Sequence, residues 1–208
     1  METNQSNEIS QTPEVKRPHY LIQAWLVILL SVFYGAILVY VQIHLGPQIE
    51  KNKTAATFAQ IPALVEGADA SKTESLTITG TDGKPATVYR VKNENGEAIG
   101  WVFPGSGQGF GDTIQLIIGL DPKIETLTGL YVLDQKETPG LGNFITGENF
   151  RGQFAGKSVL VPLRAKAGEP ENPEEIRAVT GATISSTAVC DIVNATVAKY
   201  KEAALTQN

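Results

Sequence analysis

Cysteine and histidine are scarce in this 208-residue chain, and their scarcity excludes several chemistries at once. The single cysteine, Cys190, permits no intrachain disulfide and cannot alone hold an iron–sulfur cluster, which takes about four ligands. The two histidines, His19 and His44, flank one long apolar segment, so each reads as an interfacial polar residue and neither as part of a zinc or catalytic constellation. Lysine and arginine form no cluster and the net charge is -5, which removes the electrostatic basis for binding nucleic acid. No HExxH, CxxC or GxSxG occurs, which weakens protease and hydrolase readings. The glycine-rich GSGQGFGD, residues 105–112, lacks the Lys-Ser/Thr of a phosphate-binding loop and reads as a loop between strands.

What the chain does have is an uninterrupted apolar run, YLIQAWLVILLSVFYGAILVYV, residues 20–41, with Gln23 and Ser31 as its clearly polar members and no charge. As a helix rising ~1.5 Å per residue it spans ~33 Å, enough for a bilayer core of ~30 Å. Tyr20, Trp25 and Tyr40 lie toward its ends, where interfacial aromatics belong. The run exceeds the ~7–15 residues of a signal-peptide core and no small-x-small cleavage site follows, so it reads as an uncleaved transmembrane helix. Lys16 and Arg17 directly precede the span, while Lys51 and Lys53 follow at a greater distance, so the N-terminus is expected inside. The expected organisation is a cytoplasmic tail (1–19), a transmembrane helix (20–43), a stalk and linker (44–74) and an extracytoplasmic domain (75–208). This describes a single-pass protein of the cytoplasmic (inner) membrane with a periplasmic domain.

Within that domain, SLTITG and ATVYRVK carry the β-branched and aromatic enrichment of strands, and NENGEA offers the Asn-Gly pair of a hairpin turn. IGWVF, IQLIIGL, TLTGLYVLD and SVLVPL are further strand candidates, and NFRGQFAG reads as a short helix. A final helix over residues 185–205 places Val189, Ile192, Val193, Val197 and Tyr200 on one face, with Cys190 beside it as a small core residue. The order predicts an α+β fold, a twisted and largely antiparallel sheet closed by a C-terminal helix. Asn52 and Asn194 each open a glycosylation pattern, the second within the predicted helix.

Two stretches carry candidate chemistry. In TGATISST, residues 180–187, hydroxyls crowd a helix start; Gly181 lets a ligand approach the backbone, and Ser185 or Ser186 can cap the helix while its N–H groups suit a phosphate. In KETPGLGNF, residues 136–144, Glu137 and Thr138 can present polar groups while Gly140 and Gly142 permit close backbone contact. Ordinary capping and an ordinary Pro-Gly turn account for the same compositions, and spacing alone leaves both readings open.

The pair ETPGLG and TGATISS, about forty residues apart behind an N-terminal anchor, resembles the FMN-binding domain family of the Rnf-complex G subunit and of the C subunit of Na+-translocating NADH:quinone reductase. GFGDTIQLIIGLDPKIETLTGLYVLDQKETPGLG also looks like that family. The resemblance implies FMN joined by a flavin transferase, through its phosphate, to the hydroxyl of Thr183, the last residue of the acceptor motif. Thr180, Gly181, Ala182 and Ser185, with Glu137, Thr138, Gly140, Leu141 and Gly142, would complete the cofactor site; no residue is assigned as catalytic and no metal is expected. It further implies an electron-transfer subunit working among the other membrane subunits of a redox-driven ion pump, ferredoxin:NAD in the Rnf case. An anchored flavoprotein of another respiratory reductase chain and a cofactor-free interaction domain on a membrane stalk stand as alternatives. One position departs from the pattern: the family commonly has an acidic residue six positions before the acceptor, where this chain has Arg177.

Overall fold

A computed structural model describes residues 20–207; the expected tail, 1–19, lies outside the described residues. The first helix, α1 (Tyr20–Leu64), is 45 residues long. Compactness divides the chain into two units, with the boundary between Glu50 and Lys51.

In the first unit, the segment Ala24–Gly46 has a mean hydropathy of 2.4 and none of its most apolar stretch is buried. It is long and apolar enough to cross a membrane, and exposed side chains such as Leu26, Phe33 and Leu38 would otherwise face water.

In the second unit, residues 51–65 do not form a free stalk. Ile61, Leu64 and Val65 are buried in a cluster with Tyr89, Val91, Val102 and Ile117. The expected linker is likewise pinned, since the Asp69 N–H donates to the Lys92 carbonyl (2.8 Å). Folded structure thus begins well before residue 75.

The sheet is a five-stranded antiparallel meander of β1 (Glu74–Thr79), β2 (Pro85–Lys92), β3 (Ala98–Gln108), β4 (Thr113–Leu120) and β5 (Leu127–Asp134). Successive residues alternate between two cores: Leu116 and Ile118 face one cluster and Ile117 the other. A strand covered on both faces reads as a continuous apolar run, which is why IQLIIGL shows no polar alternation. One face packs on the end of α1. The other packs on the last helix, α3 (Thr183–Leu205), and on the segment that follows β5.

That segment holds a 3-10 turn (Gly142–Thr146), the short helix α2 (Glu148–Arg151) and a parallel pair, β6 (Arg164–Lys166) with β7 (Glu175–Arg177). SVLVPL is not a strand. Apart from an isolated bridge between Thr126 and Ser158 and the bond from the Val159 N–H to the Glu125 carbonyl (2.9 Å), it finds no ladder, and Leu160 and Val161 are exposed. Asn194 bonds both the N–H and the carbonyl of Leu163, each at 2.9 Å, so its amide is committed to the fold.

The first half of the expected loop at 105–112 is strand. Gly105 to Gln108 pair with β4, and only the residues before Thr113 turn. Their glycines serve the helix above: a Cβ on Gly107 would sit 2.6 Å from Ile192 Cγ1, and one on Gly105 would overlap Thr196. The missing side chains let α3 lie directly on β3. Gly105→Val is expected to push the helix off the strand and cost about 1–3 kcal/mol. Urea unfolding checks this, and an unchanged midpoint would contradict the packing described.

Candidate functional site

The chain leaves β5 at Asp134 and enters ETPGLG. Pro139 presets its own backbone and Gly140 takes φ +78°, so Thr138 to Leu141 closes as a turn with the Leu141 N–H on the Thr138 carbonyl (3.1 Å). The second motif repeats the device. Its Ala182 N–H reaches the Val179 carbonyl (2.9 Å), and Gly181, again third in the turn, has φ +79°. The two turns touch, for a Cβ on Gly181 would lie 2.9 Å from Leu141 Cδ2.

Helix α3 starts at Thr183, two residues before its predicted start, and its N-cap is Ala182, which has no side-chain cap. Ser185 and Ser186 therefore do not cap. Both lie inside the first turns and are buried. The Ser186 hydroxyl accepts the Val179 N–H (3.0 Å) and donates to the Ala182 carbonyl (2.9 Å), locking the glycine turn onto the helix. The Ser185 hydroxyl donates to Glu137 Oε2 (2.6 Å).

Sequence reading offers Glu137 as a group that can present a polar side chain to a ligand. In the structure it is 5% exposed, and its other oxygen accepts the Gly111 N–H (3.1 Å). One carboxylate thus joins the β5 exit, the β3–β4 turn and the first turn of α3. Gly109 and Gly142 make room for it; a Cβ on Gly142 would lie 2.8 Å from Glu137 Oε2 and 2.9 Å from Ser185 Oγ. A buried carboxylate needs such donors to offset its desolvation.

These contacts bring the motifs together around one cleft of about 300 Å³. Glu137, Thr138, Leu141, Gly142, Gly181, Ala182, Thr183 and Ser185 all line it. Gly140 and Thr180 do not: Gly140 shapes the turn, and Thr180 lines a separate cleft of about 660 Å³ with Arg177. The Arg177 guanidinium pairs with Glu169 (2.6 Å) in that neighbouring cleft. Two lining residues escaped sequence reading, Phe110 and Ile184, which are 63% and 61% exposed. The available signal was an aromatic alone within a glycine loop.

On its other side Thr183 borders a groove of about 480 Å³ between α3 and β3, where Thr187 and Asp191 face Ser106 and Gln108. Thr183 is exposed at the meeting of the two hollows, on an uncapped helix start. An aligned backbone with no side chain over its first N–H groups favours an anion there. Among the described residues there is no cluster of potential metal ligands.

Residues 109–198, from the glycine turn through most of α3, match the sequence model of the FMN-binding domain. Over 161 residues the chain is 32% identical to the G subunit of the Na+-translocating ferredoxin:NAD+ oxidoreductase complex of Acetobacterium woodii, covering 73% of this chain and 77% of that protein. The chain belongs to the FMN-binding domain family, alongside the G subunits of ion-translocating oxidoreductases. A second relative in the family, the G subunit of the ion-translocating oxidoreductase complex of Methanosarcina acetivorans, is 37% identical over 117 residues, 56% of this chain and 60% of that protein's length. The crystal structure of NqrC from Shewanella oneidensis, at 23% identity and a TM-score of 0.53 over 60% of this chain and 61% of that one, shares the fold of this FMN-binding domain.

Gly181→Ala should cost roughly 1–3 kcal/mol, because the residue combines positive φ with the Leu141 contact. Gly83→Ala, at φ +73° with open space around it, isolates the backbone part. Thermal unfolding of both variants checks this: equal losses would show that the two turns do not bear on each other.

Proposed function

We propose that the chain is the membrane-anchored, FMN-carrying electron-transfer subunit of an ion-translocating oxidoreductase of the ferredoxin:NAD+ type, with FMN joined through its phosphate to Thr183. The observation that carries this reading is Thr183, an exposed residue set on an uncapped helix start where the two motifs meet.

The residues present fit the group. Thr183 would hold the phosphate as an ester, with the N–H groups of α3 beside the charge that remains. Phe110, Leu141 and Ile184 are apolar, exposed and adjacent to it, which suits a planar aromatic ring. Ser185 is spent on Glu137 and Ser186 on the backbone, so neither is free to serve as acceptor. Bound flavin supplies exchange of one or two electrons. The chain's own contribution is placement: the Leu141–Gly181 contact fixes the turns, Glu137 fixes the helix start, and the covalent tether would prevent loss outside the cytoplasm.

Helix α1 would anchor the protein in the cytoplasmic membrane by a single pass, with Lys16 and Arg17 inside and the folded domain outside. Its partners would be the other membrane subunits of the pump and, during maturation, a flavin transferase. Delivery into a quinone-linked chain is a second reading, favoured by 34% identity over 110 residues to the C subunit of the Na+-translocating NADH-quinone reductase of Pasteurella multocida.

Peptide mass spectrometry of the chain from its native membrane tests the attachment. The peptide bearing Thr183 should carry the mass of FMN less water, and Thr183→Val should abolish it. Unmodified peptide, or an adduct on the exposed Thr187, would overturn the assignment.

A further inference from the structure

Glu137 is the buried carboxylate of the cleft, and both of its oxygens rest on neutral donors, the Gly111 N–H and the Ser185 hydroxyl. It makes no ion pair among the described residues. Its neighbour Lys136 turns away, pairing with Asp112 at 3.4 Å while its side chain stays 71% exposed. The two hollows that flank Thr183 contain two charged side chains, Glu137 in the cleft and Asp191 in the groove, and no Lys, Arg or His lines either. Within the lining of these two hollows, positive potential at Thr183 therefore comes from the backbone N–H groups of α3. A charge held in a poorly solvated site acts more strongly, and is screened less by salt, than one at the surface.

We propose that Glu137 is the residue that sets the electrostatic potential at Thr183: a fixed negative charge, held in place by neutral hydrogen bonds, that opposes any further negative charge arising in the cleft. Its consequence for a redox group rests on the FMN reading above. Reduction brings negative charge, so Glu137 holds the midpoint potential of a group attached at Thr183 below the value it would have beside a neutral side chain. Hydrogen-bonding and charge are separable here. Glutamine at this position keeps an oxygen for the Gly111 N–H and offers an amide N–H to the Ser185 hydroxyl, so it removes the charge with little change of shape.

The test uses the full chain in detergent and needs no flavin in its first arm. In Thr183→Cys the introduced thiol reports the local potential through its rate of alkylation by iodoacetamide at neutral pH, because the thiolate is the reacting form. Cys190 stays silent: it is fully buried, and burial together with the nearby Asp191 pushes its thiol up to about 12. Adding Glu137→Gln should accelerate alkylation severalfold, whereas adding Glu137→Asp, which keeps the charge on a shorter side chain, should not. Equal rates with and without Glu137→Gln, or equal acceleration by both changes, would overturn the proposal.

In the second arm the flavinylated chain is titrated. Glu137→Gln should raise the midpoint potential and Glu137→Asp, which keeps the charge, should not; an unchanged potential in Glu137→Gln would overturn the proposal. Absence of the adduct on the Thr183 peptide would defeat the FMN reading, while the thiol arm would still decide the role of Glu137. Should Glu137→Gln fail to fold, the carboxyl-carbon resonance of Glu137 in the parent chain decides: a charged carboxylate at neutral pH supports the proposal, and a protonated one ends it.

Discussion

The hydrogen bond from Ser185 to Glu137, with its companion from Gly111, is the constraint on which the site depends. The three segments it joins are distant in sequence and belong to different elements. Burying a carboxylate is costly unless both oxygens are satisfied, so its two donors cannot drift independently. The glycines around it follow from the same fact, since side chains at Gly109 or Gly142 would occupy the space of the carboxylate or of its partner. Where a turn, a strand exit and a helix start must meet on one buried group, small residues gather.

The hydroxyls of TGATISST divide among distinct duties. Ser186 ties the Gly181 turn to the helix, Ser185 anchors Glu137, and Thr183 and Thr187 face outward onto the two hollows. Helical spacing explains the division: residues at i and i+4 share a face, while the intervening serines point to the core. Because Ala182 occupies the N-cap and offers no side-chain oxygen, the start of α3 is left open beside Thr183. An ordinary cap would have closed the position that the proposed attachment uses.

Much of this was legible in the sequence, for physical reasons particular to each element. The Asn-Gly hairpin before β3, the β-branched runs of β1 and β2 and the apolar face of α3 are local signals, and the structure contains each of them. What escaped depended on contacts between segments. SVLVPL has strand composition but no partner strand, and GSGQ looks like a loop until a helix is laid across its glycines. Residues 51–65 read as a stalk because the sheet face that buries Ile61 and Leu64 is assembled from residues far along the chain. At the candidate site, the glycines of the two motifs mark the turns that the structure forms there. Neither the burial of Glu137 nor the presence of Phe110 and Ile184 in the lining can be inferred from spacing, because both require the β3–β4 turn to be brought to the start of α3.

The claim that one buried carboxylate joins the two motifs into a single site is tested most directly by a double-mutant cycle on Glu137→Ala and Ser185→Ala, read by urea unfolding of the full chain. If the two groups hold each other, the second substitution costs little once the first is made, and the cycle returns a coupling of roughly 0.5–3 kcal/mol. Costs that simply add would mean that Glu137 and Ser185 act independently, and that something other than this carboxylate holds the two motifs together.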